Sequence, residues 1–132
     1  MKKGFTLLEL IIVIIIVGIL ATIGFTQYSK TVEKGRAAEA RSILGTLRTA
    51  QQSYYLENYK YTNTISDLST KVPESCTTTH WFEYDCSGAS ADDVICTADR
   101  CNTAGKNPNA AAANDYTLTL SASGNWGGSA GY

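Results

Sequence analysis

Few side chains in this chain could do chemistry, and most are poorly placed for it. His80 is the single histidine and stands beside Trp81 where an alternating stretch begins, a setting that fits a structural role. Asp92, Asp93 and Asp99 could draw a calcium ion, but they lack EF-hand spacing and read as a solvated acidic turn. Cys76, Cys86, Cys96 and Cys101 are separated by nine, nine and four residues, with no C-x-x-C pair. That is poor zinc spacing, and there is no haem-attachment motif. Tyr54, Tyr55, Tyr59 and Tyr61 lie close together, which a packed helix end explains better than electron conduction. No catalytic residues, metal or other cofactor are expected.

Glu9 is the exception. From Leu10 to Ser29 there is no charged side chain, and Phe5 to Phe25 is almost wholly apolar. As a helix that run would rise about 30 Å, the thickness of a bilayer's hydrocarbon core. It is too long for a secretory signal's apolar region and no small-residue cleavage site closes it. An ionised carboxylate at its start is costly in a membrane. Glu9 therefore either snorkels to the interface or meets a positive partner.

Lys2-Lys3-Gly4 followed by Phe5-Thr6-Leu7-Leu8-Glu9 and the apolar run resembles the leader and processing site of type IV pilins and type II secretion pseudopilins. The resemblance implies that a prepilin peptidase cuts between Gly4 and Phe5 and methylates the new Phe5 terminus, so the mature chain keeps its apolar helix. Glu9 is then the family's glutamate. In a helical array of such helices the Glu9 carboxylate of one subunit can meet the Phe5 ammonium of the next. Each charge neutralises the other, and an axial misfit leaves both unpaired, so the pair specifies register. One departure stands out. Many pilins carry a proline near the end of the apolar run, where this chain has Thr26; only Gly18 and Gly24 remain to weaken the helix, each costing about 1 kcal/mol against Ala.

The elements that must carry these residues follow from periodicity. No proline interrupts Phe5 to Tyr59, and Ala37, Ala40, Leu44, Leu47, Gln51 and Tyr54 recur at helical spacing, widened by Ile43, Ala50 and Tyr55. One helix of about 55 residues, roughly 80 Å, is expected. Asp67-Leu68 after the tyrosines also resembles the pilin pattern of a Tyr-rich turn and a short Asp-Leu segment. Beyond Pro73 three short strands are predicted: His80–Cys86 with Phe82, Tyr84 and Cys86 on one face, Asp93–Ala98, and Asp115–Ser121 with Tyr116, Leu118 and Leu120 inward. Turns fall at 87–90, 105–108 and 124–125. Residues 109–114, with four consecutive alanines, read as loop or helical turn, and the tail from Trp126 as loose.

Eleven Lys and Arg against twelve Asp and Glu leave a net charge of −1. The charge is divided: residues 28–72 hold seven basic and four acidic side chains, residues 73–132 two and seven. An acidic head argues against nucleic acid as a partner, which would require a basic patch. An even cysteine count in an exported head fits two disulfides. A hairpin of the first two strands would nest the pairs as Cys76–Cys101 and Cys86–Cys96. This pattern is preferred, with sequential pairing, Cys76–Cys86 and Cys96–Cys101, close behind.

The expected fold is α+β, a long N-terminal helix packed on an antiparallel sheet of about three strands. Residues 1–4 form a leader, 5–27 a transmembrane and filament-core helix, and 28–132 a globular head whose amphipathic helix ends near residue 59. The resemblance implies a non-enzymatic pilus subunit that starts in the inner membrane and ends in an extracellular filament. Its partners would be copies of itself, a prepilin peptidase and inner-membrane assembly machinery. The alternatives are a major pseudopilin of a periplasm-spanning pseudopilus, a membrane-anchored periplasmic binding module and a small secreted enzyme.

Overall fold

The computed structural model describes residues 4–106 and 116–129. The expected leader lysines, the alanine-rich stretch and the last three residues lie outside them. The chain divides into two units, Met1–Lys34 and Gly35–Tyr132. One α-helix, α1 (Leu7–Asn58), contributes to both.

In the first unit every described position up to Thr31 is exposed. An 18-residue window of α1 has a mean hydropathy of 2.9 and none of it is buried within the chain. A core helix of the same composition would be covered by its own protein. Here Leu8, Ile12, Val13, Ile16 and Leu20 all face outward.

In the second unit α1 shows the expected stripe: Ala37, Ala40, Leu44, Leu47 and Gln51 are fully buried. Burying each leucine contributes about 1.5–3 kcal/mol. The helix stops where Tyr59 turns left-handed at φ 56°. The Tyr59 N–H donates to the Tyr55 carbonyl and the Asn58 amide donates to that of Tyr54, so the last turn keeps its acceptors occupied. Tyr55 stacks on Tyr61 with ring centroids 4.8 Å apart, and Tyr54 and Tyr61 pack on the core, whereas Tyr59 is exposed. Gln51 pins the chain after the helix: its amide donates to the Thr62 carbonyl and its oxygen accepts from the Thr62 N–H. A 3₁₀ turn at Ile65–Asp67 then buries Ile65, and Leu68 follows it into the core.

The sheet comprises β1 (Phe82–Ser87), β2 (Ile95–Arg100), β3 (Thr117–Ser121) and β4 (Trp126–Gly128), antiparallel in the order β1-β2-β3-β4. Phe82, Tyr84 and Cys86 of β1 and Leu118 and Leu120 of β3 turn inward as the alternation requires, and Tyr116 is buried just ahead of β3. Two expectations are corrected. The second strand lies two residues later than predicted, because Arg100 is not a solvated end. It is buried opposite Phe82, and Nη1 donates to the carbonyls of Trp81 and Cys101.

The tail is also not loose throughout, since Trp126–Gly128 forms β4. Gly124 at φ 100° turns the chain, and the Ser121 N–H donates to the Asn125 carbonyl. A Cβ at Gly128 would collide with the Thr117 carbonyl. Here the close backbone approach that permits pairing came from the same glycines that read as disorder.

Candidate functional site

The candidate site is the start of α1. Phe5 is 91% exposed, and a Cβ placed on Gly4 would meet nothing within 4 Å. Neither residue type is demanded by packing against the described residues of the chain. Thr6 is the last residue before the helix, and its hydroxyl accepts the Glu9 N–H at 3.2 Å. In return Glu9 Oε2 accepts from the Thr6 N–H at 3.0 Å and from its hydroxyl at 2.9 Å. This is a capping box, T-x-x-E, which satisfies two of the helix's orphan N–H groups. Its signal was present in Thr6-Leu7-Leu8-Glu9, although the apolar run draws attention to the charge alone. The carboxylate is thus a local cap within its own chain, with Phe5 one residue ahead of the cap.

The cysteines lie in the other unit. Cys86 and Cys96 face each other directly across β1 and β2 and are bonded, with Cα atoms 4.0 Å apart. Cys76 is bonded to Cys101, Cα to Cα 5.6 Å, which ties the segment before β1 to the end of β2. Among the described residues no three His, Cys, Asp or Glu side chains converge as a metal group would require. His80 is exposed, and its carbonyl accepts from the Lys106 N–H. Asp93 closes a joint instead: its carboxylate accepts from the N–H groups of Val94 and Ser123 and from the Ser123 hydroxyl. Partial burial pushes its pKa up, but these hydrogen bonds outweigh that and hold it below the ordinary 3.8.

The arrangement is a helix-and-sheet subunit with an exposed apolar helix and a capped N-terminal carboxylate, the class of protein to which filament subunits belong. The profile of the type IV pilin-like G and H family matches residues 37–117, and that of the prokaryotic N-terminal methylation motif matches residues 1–25. This chain belongs to the type IV pilin-like G and H family. The type IV major pilin protein PilA of Myxococcus xanthus is 34% identical over 91 residues, 69% of this chain and 40% of that protein. The type IV major fimbrial protein FimA of Dichelobacter nodosus is 40% identical over 60 residues, 46% of this chain and 38% of that protein. A Neisseria gonorrhoeae type IV major pilin protein, PilE1, is 35% identical over 75 residues, 57% of this chain and 46% of that protein. The chain thus spans less than half the length of these curated relatives. No solved structure matches it.

Proposed function

We propose that this chain is the structural subunit of a type IV pilus. The observation that carries the reading is the wholly exposed apolar helix preceded by Gly4-Phe5 and opened by Glu9. A surface that apolar must be covered, first by a membrane and then by the same helix of other copies. Cleavage between Gly4 and Phe5 creates a cationic terminus beside the cap. In the filament that terminus pairs with Glu9 of a neighbour, so each subunit's insertion depth is read by charge. The precursor resides in the inner membrane with residues 5–27 across it, and prepilin peptidase and the inner-membrane assembly machinery act on it there. Residues 28–132 form the surface-exposed head, closed by its two disulfides. The relatives' names, major pilin and fimbrial protein, favour a pilus over a secretion pseudopilus.

Mass spectrometry of the mature N-terminus tests this. A chain beginning at methylated Phe5 is expected, together with an uncleaved and unassembled precursor from Gly4→Val, whose side chain fills the peptidase's small pocket. An intact Met1 on assembled protein, or normal filaments from Gly4→Val, would remove the reading.

A further inference from the structure

The end of α1 breaks a local rule. The left-handed residue that follows a helix is ordinarily Gly or Asn, because other side chains strain the backbone there. Here it is Tyr59, at φ 56°. Packing inside the chain does not ask for that side chain, which is 80% exposed, and Leu56, three residues earlier, is 77% exposed. The two make an apolar knob at the helix end. A strained residue kept without a gain in its own chain points to a gain elsewhere.

The same head carries a hollow of matching character. A cavity of about 390 Å³ opens beside β4, lined by Arg41 of α1, Leu118 of β3, and Trp126 and Gly127 of β4. The sheet register explains why it is open. Trp126 lies opposite Leu120 and Gly128 opposite Leu118, so these four share the face that the inward leucines mark. Gly128 has no side chain, and the Thr117 carbonyl leaves no room for one. On that face the edge strand therefore offers only Trp126, itself 53% exposed, and the hollow remains between it and Arg41. An indole and a guanidinium plane are both surfaces on which a phenol ring stacks.

We propose that Tyr59 of one subunit seats in this hollow on a neighbouring copy, with Leu56 packed beside it. Arg41 lies about 25 Å back along α1 from the helix end, so no head can fill its own hollow. A knob and a hollow at different places on one subunit make a heterologous contact, which propagates into a filament rather than closing into a pair. One tyrosine and one leucine bury far less than the roughly 1,000 Å² that a free-standing interface requires. An independent partner would not stay bound. A second copy held alongside by its own apolar helix would, because tethering supplies an effective concentration in about the millimolar range. The proposal thus rests on the pilus reading and adds to it a contact between heads.

The test begins with sheared wild-type filaments, whose N-terminal mass shows whether the pilus reading stands. Tyr59→Gly and Trp126→Ala filaments should each release about tenfold more free subunit than wild type at a fixed detergent concentration, the scale of one lost interface anchor. The double variant should release about as much as either alone, since the two changes remove one contact. In detergent, full-length Tyr59→Gly followed by tryptophan fluorescence should melt at the same temperature as wild type or higher, because glycine relieves the left-handed backbone. A benzophenone side chain at position 59 of assembled subunits should cross-link, on illumination, to the peptides of a second copy that hold Arg41 or Trp126.

An absence of wild-type filaments overturns the pilus reading and this contact with it. With those filaments in hand, four results overturn the contact alone: wild-type release from either single variant; additive losses in the double variant; a lower melting temperature for Tyr59→Gly, which would place the side chain's role inside its own head; or cross-links to another protein or within one chain.

Discussion

Glu9 serves its own helix as well as the proposed contact with a neighbour, and substitution can separate the two. Glutamine keeps the reciprocal capping geometry, since capping boxes accept Glu or Gln, but discards the charge. Thr6→Ala does the converse, removing the cap at a cost of about 1 kcal/mol while leaving the carboxylate. If the charge pair governs assembly, Glu9→Gln should give cleaved, membrane-resident subunits that enter filaments poorly, and Glu9→Ala should be worse. Thr6→Ala should assemble nearly as wild type. Quantifying sheared filaments against membrane-retained monomer for the three variants decides it; if Glu9→Ala subunits polymerise as wild type does, the charge pair is wrong. Asp93 allows a second residue-level test. Its folded pKa is depressed, so the carboxylate contributes stability above the unfolded value near 3.8. That contribution is lost as pH falls through the lower folded value. Asp93→Asn should therefore lower the melting temperature at pH 7, and the gap from wild type should narrow as the solution is acidified below pH 4. A gap that stays constant with pH would mean that the bonds to Ser123 and Val94 work through shape rather than charge.

At the scale of elements, the head is a helix stripe closed by a sheet, and the two disulfides hold different parts of it. Cys86–Cys96 joins neighbouring strands ten residues apart in sequence, whereas Cys76–Cys101 closes 25. In the chain-entropy account the shorter loop contributes about 2.7 kcal/mol and the longer about 3.5 kcal/mol. Paired serine substitutions should both lower the melting temperature, the Cys76/Cys101 pair by more, as followed by circular dichroism. If the Cys86/Cys96 pair proves the costlier, then strand geometry rather than loop closure dominates. The register explains how one hairpin serves both bonds: pairing Cys86 with Cys96 brings Phe82 opposite Arg100, so Cys101 comes beside the segment that carries Cys76.

At the scale of the molecule, the two units meet different needs. In Met1–Lys34 the described residues 4–31 are all exposed, while Gly35–Tyr132 carries a continuous core. A fragment beginning at Tyr28 should therefore fold, stay soluble without detergent and fail to polymerise. Circular dichroism and size-exclusion chromatography would show a cooperative melt and a monomer. Filaments formed by that fragment would place assembly in the head and overturn the helix-bundle reading.

Features written in contiguous residues were legible before any fold was seen. The apolar run, the stripe from Ala37 to Gln51 and the inward faces of β1 and β3 each depend on a local pattern of side chains, and such a pattern survives without knowledge of distant partners. What the tertiary structure decided depends on groups far apart in the chain. β4 exists because glycine backbone can approach β3 closely, and strand pairing through backbone needs no side-chain pattern. Arg100 is buried because two carbonyls await it, and Gln51 because the Thr62 backbone offers both a donor and an acceptor. The cysteine pairing followed from a register that composition leaves open. Glu9 shows both cases in one residue: its place at the head of an apolar run is sequence, and the bonds that make it a cap arise only once Thr6 and the first turn of α1 take their positions.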